Sequence, residues 1–100
     1  MERQIIWTNH AIAQLNEEFL ELLERTKSME ITARIINEVY DAVSILKTHS
    51  EIYKLDEFKK NNPGTIRAFE KHTYRISYQI DADTIFIIRL KYARKEPKIY

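Results

Sequence analysis

The sequence predicts a single α+β domain, residues 1–100, with the element order β-α-α-β-β-β. A two-helix hairpin is expected to pack on one face of a small antiparallel-meander sheet. Three observations carry this expectation. From Ile12 to Leu46 apolar residues recur three and four apart, which is one face of an α-helix. From Ile66 to Tyr92 they alternate, which is one face of a strand. At 100 residues and 44% apolar, the chain has material for one core and no linker to divide it.

Residues 3–7 read as a short strand. Thr8 or Asn9 then caps a helix by accepting a hydrogen bond from an unpaired amide of its first turn. Ile12, Leu15, Phe19 and Leu22 form its expected buried stripe, with Glu17, Glu18, Glu21 and Glu24 on the outer face. Ser28 caps a second helix whose stripe is Ile31, Ile35, Val39, Ala42 and Leu46. Only Arg25, Thr26 and Lys27 join the two, so they form an antiparallel hairpin. Beyond Thr48 the periodicity fades. Ile52, Tyr53, Leu55 and Phe58 are isolated anchors in a polar segment that ends in the turn signal KKNNPGT. Residues 65–71, 74–80 and 85–92 read as three strands with short links, the last link being the turn DADT.

Composition excludes several chemistries. Without cysteine there are no disulfides, thiolate nucleophiles or cysteine zinc sites, and the cytoplasm is the expected compartment. One glycine, Gly64, cannot build a phosphate-cradling loop, so nucleotide-cofactor folds are out. The histidines at 10, 49 and 72 have no metal-ligand spacing, so neither metal nor cofactor is expected. No apolar run approaches the roughly 18 residues of a membrane span, and the N-terminal residues carry no cleavable signal pattern.

Charge is divided unevenly. Residues 1–53 hold five Lys/Arg against nine Asp/Glu, whereas residues 54–100 hold eleven against six. Such a split points to a polyanionic or acidic partner for the second half. Strand parity indicates which cations would meet it. The helices need an apolar floor, so the faces carrying Ile76 and Ile88 lie beneath them. Arg75, Arg89 and Lys91 then point from the open face, and Arg67 joins them from the preceding strand. Arg94, Lys95 and Lys98 extend the basic character into a tail that ends on Tyr100. Arginine forks suit phosphate, and aromatic rings among cations suit stacked bases of single-stranded nucleic acid. A solvated sheet face has the same pattern. The tail is expected to be loosely held until a partner binds.

With these residues in view, the chain resembles the RelE/ParE toxin superfamily of bacterial type II toxin–antitoxin systems, which includes plasmid-stabilisation toxins. IIWTNHAIAQL looks like the family's opening strand and helix, and IRAF like its first meander strand. TYRISYQI resembles its Tyr-Arg-x-x-Tyr strand, and IFIIRLKYARKEP its closing strand and basic tail. The resemblance implies one of two targets, ribosome-bound mRNA cleaved by RelE-like members or DNA gyrase inhibited by ParE-like ones. It also implies a cognate antitoxin protein as partner. For RelE-like chemistry it assigns catalysis to Arg75, Arg94 and Tyr100, with Arg67, Arg89, Lys91, Lys95 and Lys98 binding nucleic acid or a partner. The two lysines that RelE-like toxins carry on the first meander strand fall near Thr65 and Arg67, so one basic group is absent. In that scheme Arg75 and Arg67 hold the scissile phosphate while Arg94 assists. Tyr100 stacks or exchanges a proton, its pKa lowered by neighbouring cations. Two other classes stand beside this one: a non-toxic nucleic-acid-binding domain, and a protein-interaction module with a basic sheet face.

Overall fold

The structure is a computed structural model that describes residues 2–94 and 99–100. Its elements are β1 (Gln4–Trp7), α1 (Asn9–Thr26), α2 (Met29–Ser44), a short 3-10 turn (Ile45–Lys47), β2 (Ile66–Lys71), β3 (Tyr74–Asp81) and β4 (Thr84–Tyr92). Both helix starts are built as the sequence requires. The Thr8 and Ser28 hydroxyls accept from the amides of Ala11 and Ile31, each at 3.2 Å. Lys27 closes α1 in the left-handed region and donates its amide to the Leu23 carbonyl, which turns the chain into α2.

The last three strands form the expected antiparallel meander, and β1 completes the sheet in the order β1-β4-β3-β2. The first strand lies parallel to β4, with Ile5 opposite Ile85, so the sheet is mixed. Both helices cover one face, where Leu22, Val39, Val43 and Leu46 meet Phe69, Tyr74, Ile76, Tyr78, Ile85, Ile87 and Leu90. Tyr78 is fully buried there, and its hydroxyl donates to the Ser50 carbonyl at 2.7 Å.

Three expectations about orientation are corrected. In α1 the buried row is Ala11, Gln14, Glu18 and Leu22, with Leu15 packed beside it. Leu15 and Leu22 keep their expected side, while Ile12 is 42% exposed, so the buried face is turned toward Ala11, Gln14 and Glu18. Glu18 therefore faces inward instead of outward. Gln14 is inward for a reason. β1 pairs with β4 only as far as Ile87, and the Gln14 side chain accepts from the Leu90 amide at 2.8 Å beyond that point. In α2 and the 3-10 turn after it the stripe holds at Ile35, Val39, Ala42 and Leu46. Thr32 and Val43 are buried beside it, and only Ile31 of the expected row is exposed.

The second correction is a bulge. The β3–β4 register slips between Ser77 and Tyr78, opposite Arg89 and Ile87, and leaves Ile88 without a partner. Ile85 and Ile87 are therefore the inward residues before it, not Phe86 and Ile88, and alternation resumes with Leu90 inward and Arg89 and Lys91 outward. Arg67 is the third case. It pairs with the buried Tyr78 and shares a face with Phe69, on the helix side of the sheet. There its guanidinium donates to the Tyr53 carbonyl at 2.5 Å, so it does not join Arg75.

Candidate functional site

The far face of the sheet, expected to be open, is largely covered. Ile66 and Ala68 point to that side, paired with Gln79 and Ser77, and are 4% and 7% exposed. Their cover is the segment 55–62. Leu55 makes an isolated bridge with Arg67, and the Asp56 amide donates to the Ile66 carbonyl at 2.9 Å, so the chain first runs along the outer edge of β2. Asn62 then staples the loop. Its amide group donates to the Ile66 carbonyl at 2.8 Å, and its side-chain oxygen accepts from Gly64 and Ile66.

At the centre of this cover is Asp56, whose side chain has no exposed area. Oδ1 accepts from Arg75 Nη2 at 2.8 Å and from the Phe58 amide at 3.0 Å, an Asx turn. Oδ2 accepts from the Ser77 hydroxyl at 2.8 Å and from the Tyr100 hydroxyl at 2.6 Å. Burial pushes the Asp56 pKa up. Hydrogen bonds from Tyr100, Arg75, Phe58 and Ser77 outweigh it, and the group is held below the ordinary carboxylate value.

Arg75 stands on the far face as parity required, yet its side chain is only 17% exposed. It pairs with Asp56, lies 3.7 Å from Glu70, and stacks over the Phe58 ring at 4.6 Å. Tyr100 is anchored rather than frayed. Its amide donates to the Phe58 carbonyl at 2.9 Å, and its carbonyl accepts from the Lys60 amide at 2.6 Å. Ile99 beside it is 69% exposed. Arg89 lies over the Tyr100 ring at 4.2 Å and Lys59 at 5.2 Å. Burial and then the hydrogen bond to Asp56 raise the Tyr100 pKa, which reverses the lowering expected from its cationic neighbours.

Beside Tyr100 opens a groove walled by His10, Lys59, Ile88, Arg89 and Lys91. The structure thus brings Arg75, Arg89, Lys91 and Tyr100 together on one face. Arg67 is on the opposite face, and Arg94 is exposed in the turn after β4. Lys95 and Lys98 lie outside the described residues. Among the described residues no cluster of three or more His, Asp or Glu could hold a metal, and no helix is long and apolar enough to cross a membrane.

A family described as the ParE toxin of type II toxin-antitoxin system, parDE, matches residues 5–97. The chain belongs to the ParE toxin family. The solved structures that share its fold include two from toxin–antitoxin systems. One is the chromosomal ParDE TA system from P. aeruginosa, at 15% identity and a TM-score of 0.74, covering 91% of this chain and 96% of that one. The other is the toxin-antitoxin complex RelBE2 from Mycobacterium tuberculosis, at 17% identity and a TM-score of 0.57, covering 92% and 99%. No curated protein matches the sequence closely.

Within this ParE-family chain, Asp56, Phe58 and Ser77 are the site residues that sequence reasoning missed. A signal was present. Ile66 and Ala68 alternate with Arg67 and Phe69, so both faces of this strand carry apolar residues, and the face turned away from the helices calls for a cover. The segment that supplies it carries Asp56 and Phe58 at the spacing of an Asx turn.

Proposed function

We propose that this chain is the toxin of a type II toxin–antitoxin pair, held inactive by its antitoxin, and that it acts as a ParE-type inhibitor docking on DNA gyrase without cleaving RNA. The observation that carries this reading is the engagement of both Arg75 and the Tyr100 hydroxyl by the buried Asp56 carboxylate. RelE-like cleavage, with the roles the resemblance assigns, needs Arg75 aimed at the scissile phosphate and Tyr100 able to exchange a proton. Here the arginine is neutralised by a carboxylate, and the tyrosine has a raised pKa. Placement of Arg67 behind the sheet takes away a further phosphate contact. The half-buried Lys91 and the exposed Arg94 remain for contact with a macromolecular surface.

Convergence of Arg75, Arg89 and Tyr100 on one face is what favours the alternative, cleavage of ribosome-bound mRNA. Purified chain added to a gyrase supercoiling reaction and to a stalled ribosome–mRNA complex separates the two. Inhibited supercoiling with intact mRNA is expected, and cut mRNA with unaffected gyrase overturns the proposal. Induction in a bacterium should arrest growth, and co-induction of the neighbouring gene should relieve the arrest. Undisturbed growth on induction alone would remove the toxin reading.

A further inference from the structure

Hydrogen-bond donors from three separate segments converge on the Asp56 carboxylate, two on each oxygen, at 2.6 to 3.0 Å. Arg75 and Ser77 stand two residues apart on β3, so they project side by side from the rigid sheet and do not depend on the 55–62 segment for their placement. Their division over two oxygens suits a planar carboxylate. The Arg75 fork is also incompletely used. Its Nε is buried without a hydrogen-bond partner among the described residues, although Nε and Nη2 together form the bidentate edge that a carboxylate prefers. Asp56 thus fills a site that has a donor to spare.

Tyr100 belongs both to this site and to the neighbouring groove. Its hydroxyl closes the carboxylate site, while its ring, between Arg89 and Lys59, forms a wall of the groove that Lys91 also lines. Lysine and arginine side chains around the groove make it attractive to acidic chain. Displacement of Tyr100 would connect the two.

We propose that Arg75, Ser77 and Tyr100 form a carboxylate-binding site, closed in the free protein by the chain's own Asp56, and that an acidic segment of a protein partner opens it by exchanging its carboxylate for that of Asp56. The choice of a protein partner rests on the docking function proposed above; the site itself does not. Exchange keeps the number of buried charges constant, which is why a buried ion pair can open without stranding Arg75.

Chemical rescue tests the site. Full-length Asp56→Gly is melted at pH 7 in sodium acetate, sodium phosphate or sodium chloride at matched ionic strength. Its Tm should lie below that of the unaltered protein and rise saturably with acetate, by several degrees more than with chloride. Asp56→Gly combined with Arg75→Met should lose that response. Absence of an acetate-specific rise, or a larger rise with phosphate, overturns the assignment. Exchange is read on the unaltered chain, which also covers an Asp56→Gly variant that fails to fold. A hexaglutamate peptide is titrated while the NMR resonances of Tyr100 and Ser77 are followed. Saturable movement of both is the expected result; no binding, or binding that leaves both unmoved, overturns it. Neither readout depends on gyrase. A chain that inhibits gyrase but shows no acetate rescue refutes this inference alone, and one that cleaves mRNA yet responds to acetate refutes the functional proposal alone.

Discussion

The Asp56 carboxylate is buried and ionised together, a combination that survives only with matched donors. Its folded-state pKa lies below the unfolded value of about 3.9. The stabilisation it supplies is therefore fully present above that unfolded value and is lost as pH falls through the lower folded one. Urea unfolding measured from pH 6 downward should show stability falling below about pH 4, and Asp56→Asn should flatten that limb. At the alkaline end the sign reverses. Burial pushes the Tyr78 pKa up to about 12, so its contribution holds below the ordinary tyrosine value and is lost as pH rises through 12. Arg75 shares the fate of Asp56. Arg75→Ala leaves a buried carboxylate without its cation and should cost about 2 to 4 kcal/mol in chemical denaturation, near the range for breaking a buried pair. A cost within about 0.5 kcal/mol would mean that the pair is solvated like a surface contact.

At the scale of elements, the rotation of α1 decides which side chains hold the molecule together. Leu22 is 7% exposed among the core residues, whereas Ile12 is 42% exposed on the outer side. Leu22→Ala should destabilise by about 2 to 5 kcal/mol, as core truncations do, while Ile12→Ala should stay within about 0.5 kcal/mol. Equal losses in the two variants would restore the stripe that periodicity alone selects. Gln14 explains why the helix takes the observed rotation. β4 outruns β1, and a bare amide in the core must find an acceptor, so a glutamine is drawn inward where the pattern has a leucine one position later. The β4 bulge at Ile88 does comparable work on the other side of the sheet. It turns Ile85 and Ile87 inward without turning Arg89 and Lys91 with them, and so leaves both cations on the site face.

At the scale of the whole molecule, the chain is closed by pairing its two ends. Thr8 bonds through both its amide and its hydroxyl to the Ile87 carbonyl, 79 positions along, and β1 cannot form before β4 is in place. The single tryptophan, Trp7, lies in this closing strand and stacks on Tyr40 of α2 at 6.0 Å. Its fluorescence therefore reports on strand, helix and sheet at once. Denaturation followed by Trp7 fluorescence and by far-ultraviolet circular dichroism should give coincident midpoints, as a cooperative single domain does. An earlier fluorescence transition would show β1 detaching from an otherwise folded sheet.

Local chemistry by itself determined the element order, both helix caps and the hairpin. Each rests on contacts between residues close in sequence or on a simple alternation, and the ParE-family motifs lie within those elements. Arg75, Arg89 and Lys91 could be placed on the far face for the same reason. Only the tertiary structure decided the rest. The bulge moved parity within β4, and β1 chose a parallel berth beside the last strand. The α1 face was selected by a backbone amide 76 positions away. Above all, Asp56 met Arg75, Ser77 and Tyr100 across separations of 19, 21 and 44 residues. No periodicity encodes such a meeting. A carboxylate in a polar loop is solvated until the sheet beneath it takes the water away, and its partners then become a matter of folding geometry rather than of sequence.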